Sequence, residues 1–162
     1  MIESNFELKT KRLIIRPYRA SDYQVWKDTY LNLPPQKNQW DSSARTKEQT
    51  TKSKFKAILA NQAKNRKKDH FYDFTAFKKT TGEIVGHVSL MDLSRGVFQN
   101  AFLGYSVFSP HWGKGYGKEM VNAIITLAFK TLNLHRLEAG IAPANKRSIA
   151  LAKSLGDRKS VV

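Results

Sequence analysis

The stretch that decides the fold is GYSVFSPHWGKGYGK, which runs from Gly104 to Lys118. Its first half is rich in aromatic and β-branched residues and predicts a strand over residues 101–109 that stops at Pro110. Beyond three alternating glycines, apolar residues recur at helical spacing as far as about Leu132 and predict a long helix. The stretch is therefore a glycine-rich turn that joins a strand to a helix.

This glycine turn has the features of a diphosphate site. Gly113, Gly115 and Gly117 lie where the first turn of a helix leaves backbone N–H groups unpaired, and the helix dipole favours an anion there. Glycine has no Cβ atom to keep a pyrophosphate away from the backbone, and Lys114 and Lys118 add positive charge. The spacing is neither that of a P-loop nor that of a dinucleotide-binding fingerprint. A strand-to-helix joint without a ligand is the structural alternative.

Upstream of this turn, alternation and helical periodicity predict a strand, two helices and a hairpin. Two polar caps are expected for the helices: Ser21 or Asp22 for the first, and a capping box of Thr46 and Gln49 for the second. The predicted bounds are 6–18 for the strand, up to 31 for the first helix, within 36–70 for the second, and 71–78 with 84–93 for the hairpin.

Downstream, the pattern predicts a strand over residues 136–142 and a last helix over residues 147–155, with Gly156 at the C′ position. The order of elements predicts a mixed α/β (α+β) domain in which helices flank a mostly antiparallel sheet. The strand–helix–strand unit at its end is expected to be a parallel, right-handed crossover. Residues 1–162 fit a single domain.

Composition narrows both the chemistry and the partners. The chain contains no cysteine, which excludes disulfides, cysteine-ligated metals and a thiol nucleophile, and no metal site is predicted. The net charge of +15 favours a polyphosphate, RNA, an acidic protein surface or anionic lipid, with solvated surface charges as the alternative. Residues 45–79 hold 11 Lys or Arg against three acids. Neither a secretory signal nor a membrane-spanning stretch is visible, so a cytoplasmic protein without membrane association is expected.

Residues 104–117 resemble the acetyl-CoA motif of the GNAT superfamily of acetyltransferases. Two flanking segments are similar to the branch that contains the ribosomal-protein N-terminal acetyltransferases. They are TKRLIIR at 10–16, and an ending made of HRLEA at 135–139, NKRS at 145–148 and SLG at 154–156. The resemblance covers about residues 8–156 in the right order. It implies a GNAT-like fold, with acetyl-CoA as the cofactor and coenzyme A as the product.

The resemblance also implies a role for individual residues. The strand at Val107 and Phe108 would splay from its neighbour and pair its backbone with the pantetheine arm, and a backbone N–H near Val107 would face the oxyanion. Asn145 would bond the pantetheine through its side chain. The pyrophosphate would lie on the turn that holds Trp112, Gly113, Lys114, Gly115, Tyr116, Gly117 and Lys118.

Direct attack of an amine on the thioester needs a proton donor for the sulfur and a base for the amine. Many relatives have a tyrosine four residues before the glycine that closes the last helix, where this chain has Ala152. Ser148 is predicted to donate to the sulfur, directly or through water, and an ordinary helix-surface serine is the alternative. Glu138 is predicted as the base, with a structural ion pair or proton removal by water as alternatives. His87 and His111 are weaker candidates.

Relatives continue after the Ser-Leu-Gly ending with two further strands, whereas this sequence ends at Val162. The interpretation is a domain truncated after about Gly156, whose exposed sheet edge would favour a homodimer or aggregation. The preferred function is acetylation of the α-amino group of a protein N-terminus, with the basic surface guiding the enzyme to ribosomal, RNA or other acidic partners. A small-molecule amine as acceptor and a non-catalytic basic module that binds RNA are the alternatives.

Overall fold

The computed structural model describes residues 1–156, and within them six strands form one sheet whose spatial order follows the chain. Neighbouring strands are antiparallel except for the last pair, which is parallel. The strands are β1 (Leu8–Lys9), β2 (Leu13–Arg16), β3 (Tyr72–Lys78), β4 (Ile84–Ser94), β5 (Asn100–Val107) and β6 (Arg136–Glu138). The predicted mixed and mostly antiparallel sheet is confirmed.

Helices cover both faces of this sheet. They are α1 (Tyr23–Leu31), α2 (Lys52–Lys67), α3 (Tyr116–Lys130) and α4 (Lys146–Ser154). On one face, Met120 and Ile124 of α3 belong to the main apolar core. On the other face, Trp26 of α1 and Phe55 of α2 pack in a second, aromatic cluster. The sheet is thus the middle layer, and the glycine turn connects β5 to α3.

The single strand predicted over residues 6–18 is wrong, because β1 and β2 pair with each other in an antiparallel hairpin. Thr10 closes the turn between them. Its N–H donates to the carbonyl of Leu13 at 3.0 Å, and its hydroxyl accepts from the N–H of Leu13 at 3.1 Å. A threonine that bonds to the backbone three residues later favours a turn over a continuous strand. The turn places Arg12 beside the glycine turn.

The predicted cap of α1 makes a different contact. The carboxylate of Asp22 forms no side-chain cap and instead binds the Arg16 guanidinium through two hydrogen bonds of 2.6 and 2.9 Å. It also accepts from the Arg19 N–H at 2.7 Å. A charged partner competes successfully with the backbone for these oxygens, and the pair holds β2 to the start of α1.

One of the two hydrogen bonds of the predicted capping box forms, and it does not begin a helix. The Gln49 side chain accepts from the Thr46 N–H at 2.9 Å around a turn. Helix α2 begins later, at Lys52, where the Thr51 hydroxyl accepts from the Lys54 N–H at 3.3 Å. Both threonines can cap, so local sequence does not decide between them. The buried side of α2 follows the prediction, because Phe55 packs in the aromatic cluster.

The strand predicted over residues 136–142 is shorter than expected, since β6 ends at Glu138. Gly140 and Pro143 follow, and neither residue type favours a continued strand. Its parallel pairing with β5 is confirmed. The expectation of a domain truncated after Gly156 concerns residues 157–162, which lie outside the described residues. Among residues 1–156, no helix is both long and apolar enough to span a membrane.

Candidate functional site

One edge of β5 faces a gap in the sheet. The Phe108 N–H donates to the Val85 carbonyl on β4 at 2.9 Å, so these two residues form a hydrogen-bonded pair. Hydrogen-bonded and non-hydrogen-bonded pairs alternate along antiparallel strands, which directs the Val107 N–H away from β4. On that side β6 pairs only with residues 100–102, as far as the described chain extends. The β5 edge near Val107 is therefore not covered by β6.

A cleft of about 240 Å³ opens at this edge, between β5, the glycine turn and α4. It brings together most of the residues that the sequence predicts for the cofactor: Val107, Trp112, Gly113, Gly115, Tyr116, Gly117, Lys118 and Asn145. Ser148, the predicted proton donor, also lines it. Sequence reasoning did not find the remaining lining residues Asn38, Trp40, Tyr105, Ser106, Arg147 and Leu151.

Two predicted cofactor residues direct their side chains elsewhere. The Phe108 side chain is 1% exposed, and its ring packs edge-on against Tyr30 and His87 with centroids 5.5 Å apart in both cases. The Lys114 ammonium donates to the Pro110 carbonyl at 3.1 Å. Lys118 is consequently the lysine of the glycine turn that lines the cleft.

The glycines shape the turn in two ways. Gly113 and Gly115 have φ values of 72° and 80°, a conformation that favours glycine. Gly117 lies in close contact, because a Cβ atom there would be 3.1 Å from Leu151 Cδ2 and 3.3 Å from Val107 Cγ2. The start of α3 can therefore approach both β5 and α4.

The start of α3 offers backbone donors to the cleft. The first hydrogen bond of the helix runs from the Glu119 N–H to the Gly115 carbonyl at 3.2 Å. The N–H groups of residues 116–118 precede it and have no partner within the helix. With the positive end of the helix dipole and the Lys118 ammonium, they form a surface suited to a diphosphate.

Trp112 links the strand edge to a second cation. Its indole N–H donates to the Val107 carbonyl at 2.6 Å. The Arg147 guanidinium lies 4.1 Å from the centre of its ring, and the Lys37 ammonium lies 5.6 Å from it. Because Arg147 also lines the cleft, positive charge reaches the site from α4 as well as from α3.

A carboxylate in the first turn of α3 is held by the β1–β2 hairpin. Glu119 accepts from the Thr10 hydroxyl at 2.6 Å, and from the N–H and Nε of Arg12 at 2.7 Å each. Arg12 also donates to the Lys114 carbonyl at 2.8 Å and stacks 4.2 Å from the Tyr116 ring centre. Partial burial raises the pKa of Glu119, but the bonds from Thr10 and Arg12 outweigh it, and the pKa lies below its usual value. We call Glu119, together with Thr10 and Arg12, the turn brace.

Three side chains meet where α4 begins. The Asn145 side-chain oxygen accepts from the Ser148 N–H at 3.2 Å and caps the helix. The Ser148 hydroxyl donates to the Tyr105 hydroxyl at 3.2 Å, and that hydroxyl donates to the Ser148 carbonyl at 2.9 Å. The alternation of β5 that places Val107 beside the cleft also places Tyr105 there, and this signal was present in the sequence.

Glu138, the predicted base, lies in a neighbouring cavity and not among the described residues that line the cleft. It forms an ion pair of 3.0 Å with Arg136, and its side chain is 37% exposed. The two cavities share Tyr105. The geometry thus separates Glu138 from the glycine turn and leaves its role as base a prediction.

The two histidines occupy different places. His87 lies in the aromatic cluster, where Tyr30 Oη is 3.1 Å from Nε2 and Thr75 Oγ1 is 3.2 Å from Nδ1. Burial, with a smaller effect of the positive Arg45, lowers the pKa of His87 to about 4. His111 lines the cleft, and burial also lowers its pKa. Both imidazoles are consequently neutral at pH 7.

Comparison with known proteins shows the family of the chain. The family model described as "Acetyltransferase (GNAT) domain" matches residues 12–158. The chain is 30% identical over 152 residues to ribosomal protein uS5-alanine N-acetyltransferase of Escherichia coli, covering 94% of this chain and 78% of that protein.

Two solved structures have the same fold. One is the ribosomal-protein-S5-alanine acetyltransferase of Vibrio fischeri, with a TM-score of 0.79 and 26% identity over 94% of this chain and 82% of that one. The other is RimJ of Mycobacterium smegmatis in complex with CoA-disulfide, with a TM-score of 0.75 and 21% identity over 92% of this chain and 71% of that one. The chain belongs to the GNAT family of acetyl-CoA-dependent N-acetyltransferases.

Proposed function

We propose that this acetyltransferase moves the acetyl group of acetyl-CoA to the α-amino group of a protein N-terminus, by direct attack of the amine on the thioester. The observation that supports it best is the cleft, in which an uncovered strand edge ends at a glycine turn with backbone donors. A sequence without cysteine fits transfer without an acyl-cysteine intermediate. Relatives named for the alanine of a ribosomal protein suggest the kind of acceptor.

Binding of the donor divides between the two ends of the cleft. The N–H groups of residues 116–118 and the Lys118 ammonium would hold the pyrophosphate, with Arg147 adding charge from α4. The β5 edge at Val107 would pair with the amides of the pantetheine arm, and Asn145 would contact that arm. The backbone donors at the start of α3 suit the diphosphate of the cofactor, and the β5 edge suits its linear pantetheine arm.

Catalysis would follow from orientation and hydrogen bonding. The Val107 N–H, directed to the cleft, would stabilise the oxyanion as the amine attacks. A hydroxyl beside the start of α4 would protonate the departing sulfur, and Ser148 is the residue that the sequence assigns to this step. Water would take the proton of the amine unless Glu138, in the adjoining cavity, reaches it.

Helix α2 is the surface proposed to guide the enzyme towards acidic partners such as a ribosome. It holds six Lys or Arg and no Asp or Glu: Lys52, Lys54, Lys56, Lys64, Arg66 and Lys67. Its large apolar side chains pack against the aromatic cluster, so its exposed face is mostly charged and lacks the large apolar side chains that insert into a membrane. Long-range attraction of this kind increases association rates and weakens with salt.

Calorimetric titration with acetyl-CoA tests the cofactor site, using a matched pair of variants. Gly113→Glu and Gly82→Glu place the same charge at glycines whose φ values are 72° and 75°, and both sites have open space for a Cβ. Gly113 lines the cleft, whereas Gly82 lies in the turn between β3 and β4. We expect Gly113→Glu to weaken binding at least ~10-fold and Gly82→Glu to leave it unchanged.

The acceptor is then tested with peptides. A peptide with a free N-terminus should gain one acetyl group by mass spectrometry, and the same peptide with a blocked N-terminus should gain none. Transfer to spermidine or another small amine, but not to the free peptide, would contradict the proposed acceptor. A folded protein that does not bind acetyl-CoA would contradict the cofactor site.

A further inference from the structure

The structure places a phenol where the sequence offered only an alkyl hydroxyl. Tyr105 lies on β5 two residues before Val107, so the alternation of the strand puts both side chains on the face that carries α3 and α4. Its hydroxyl lies between two groups of Ser148, accepting from Oγ at 3.2 Å and donating to the carbonyl oxygen at 2.9 Å. Tyr105 also lines the cleft.

The position along β5 suits the far end of the proposed donor. The glycine turn follows the C-terminal end of β5, and each residue of a strand spans about 3.3 Å. An arm that starts at the turn and follows the strand edge meets Val107 first and Tyr105 about 7 Å further on. Its reacting end, which is the end farthest from the phosphates, would therefore lie towards Tyr105 and Ser148.

Acidity distinguishes the two hydroxyls at this place. A phenol ionises near pH ~10, within reach of a proton transfer to a thiolate, whereas an aliphatic hydroxyl such as that of serine is a much weaker acid. The serine is better suited to support a phenolate. Its hydroxyl already donates to the phenol oxygen, and a bond of this kind strengthens when the acceptor becomes charged. The start of α4, with Lys146 and Arg147, also favours negative charge nearby.

We infer that Tyr105 is a catalytic residue whose phenol O–H turns from the Ser148 carbonyl to protonate the sulfur of coenzyme A, and that the Ser148 hydroxyl positions the phenol and supports the phenolate. The inference rests on the proposed transfer from acetyl-CoA. As the C–N bond forms and the C–S bond breaks, the sulfur keeps the electron pair and takes the phenol proton. The attacking nitrogen releases a proton to solvent, and the phenolate takes one back from solvent. No net proton or electron is left over.

A test that needs no acceptor uses coenzyme A itself. With saturating coenzyme A, the ultraviolet absorbance of the thiolate is followed as pH is raised. A phenol that donates to the sulfur stabilises the thiolate, so we expect the thiol to ionise at lower pH on the wild-type protein than in solution. Tyr105→Phe should abolish this shift and change affinity for the protonated thiol less than ~3-fold. The control Tyr23→Phe removes a hydroxyl bound to the Thr50 carbonyl and should keep the shift.

Kinetics with the peptide acceptor give the second readout. Tyr105→Phe should lower kcat ~100-fold with little change in KM for acetyl-CoA, since the ring still fills its site. Ser148→Ala should lower kcat less, and adding it to Tyr105→Phe should cause little further loss because the residues act together. If Ser148→Ala instead abolishes the thiol shift while Tyr105→Phe retains it, serine is the donor and the inference is wrong.

The two proposals fail in different ways. A thiol shift that depends on Tyr105, in a protein that acetylates no peptide, would support the inference and count against the proposed acceptor. Bound coenzyme A whose thiol ionises as in solution would overturn the inference, even if peptides are acetylated.

Discussion

Removal of Arg12 should destabilise the protein through the charge that it leaves behind. In the turn brace, the Glu119 side chain is 15% exposed and accepts one hydrogen bond from Nε of Arg12, whose side chain is 39% exposed. The bond from the Arg12 backbone N–H is retained in Arg12→Ala. A hydrogen bond to a charged group contributes ~1.5–3 kcal/mol, and solvent around the exposed part of Arg12 reduces that figure. We therefore expect Arg12→Ala to lower the free energy of unfolding at pH 7 by about 2 kcal/mol.

Urea unfolding measures this effect, and Arg19→Ala is the matched control. The Arg19 side chain is also 39% exposed and pairs with Glu7 at 3.2 Å, but the Glu7 side chain is 27% exposed, against 15% for Glu119. Arg19→Ala should lower the free energy of unfolding by no more than ~0.5 kcal/mol. Equal losses for the two variants would show that the turn brace behaves as an ordinary surface pair.

The pH dependence tests the same contact with a defined sign. The pKa of Glu119 is lowered in the folded state from 4.5, so its contribution is fully present above pH 4.5 and is lost as pH falls through the folded value. The difference in the free energy of unfolding between wild type and Arg12→Ala should thus be large at pH 7 and smaller near pH 3. A difference that stays constant over this range would refute the assignment to the charged pair.

Four further variants test the surroundings of the site. As pH falls from 6.5 to about 4, His87 is protonated in the unfolded chain but stays neutral in the folded protein, and wild type should lose roughly 3 kcal/mol of stability. His87→Gln should remove this loss, which urea unfolding measures. Lys118→Gln and Arg147→Gln should each weaken acetyl-CoA binding ~5-fold in calorimetry at low salt and less at high salt. Glu138→Gln should leave the pH–rate profile unchanged, because Glu138 pairs with Arg136 outside the cleft. If the variant instead loses the alkaline plateau of this profile, Glu138 is the base.

The glycine turn and the sheet class could be predicted because each depends on local pattern. Strand alternation before Pro110 and helical periodicity after Gly117 are visible in one short stretch, and the boundaries of α3 follow from them. The side-chain cap of α4 by Asn145 was not predicted, although it is equally local, since the bonded residues are three apart. Such features need no knowledge of which distant segments meet.

The turn brace could not be predicted for the opposite reason. Arg12 and Glu119 are 107 residues apart, and either could have remained a solvated charge. The pairing depends on the turn at Thr10, and that turn was missed because the surrounding residues have a strand pattern. The end of β6 at Glu138 was also missed, and the size of the gap beside β5 depends on it. The place of Tyr105 was readable from alternation, but its partner Ser148 became evident only when α4 was positioned.

The turn brace explains how the proposed phosphate site can hold the acidic residue Glu119. Glu119 belongs to the first turn of α3, but Arg12 and Thr10 occupy its oxygens. After Arg12→Ala the charge remains without its cation and would repel a bound diphosphate. As an order of magnitude, two like charges separated by about 8 Å repel by roughly 1 kcal/mol at an effective dielectric constant of ~40. Acetyl-CoA affinity should then fall about fivefold.

Adding Glu119→Gln to Arg12→Ala removes that repulsion and should restore most of the affinity. At Gly113 the same logic separates charge from backbone strain, because Gly113→Gln has the same shape and the same φ of 72° as Gly113→Glu. If charge decides binding, Gly113→Gln retains most of the affinity that Gly113→Glu loses. Equal losses would mean that the φ-restricted backbone of the turn, and not its electrostatic field, determines how tightly the diphosphate is held.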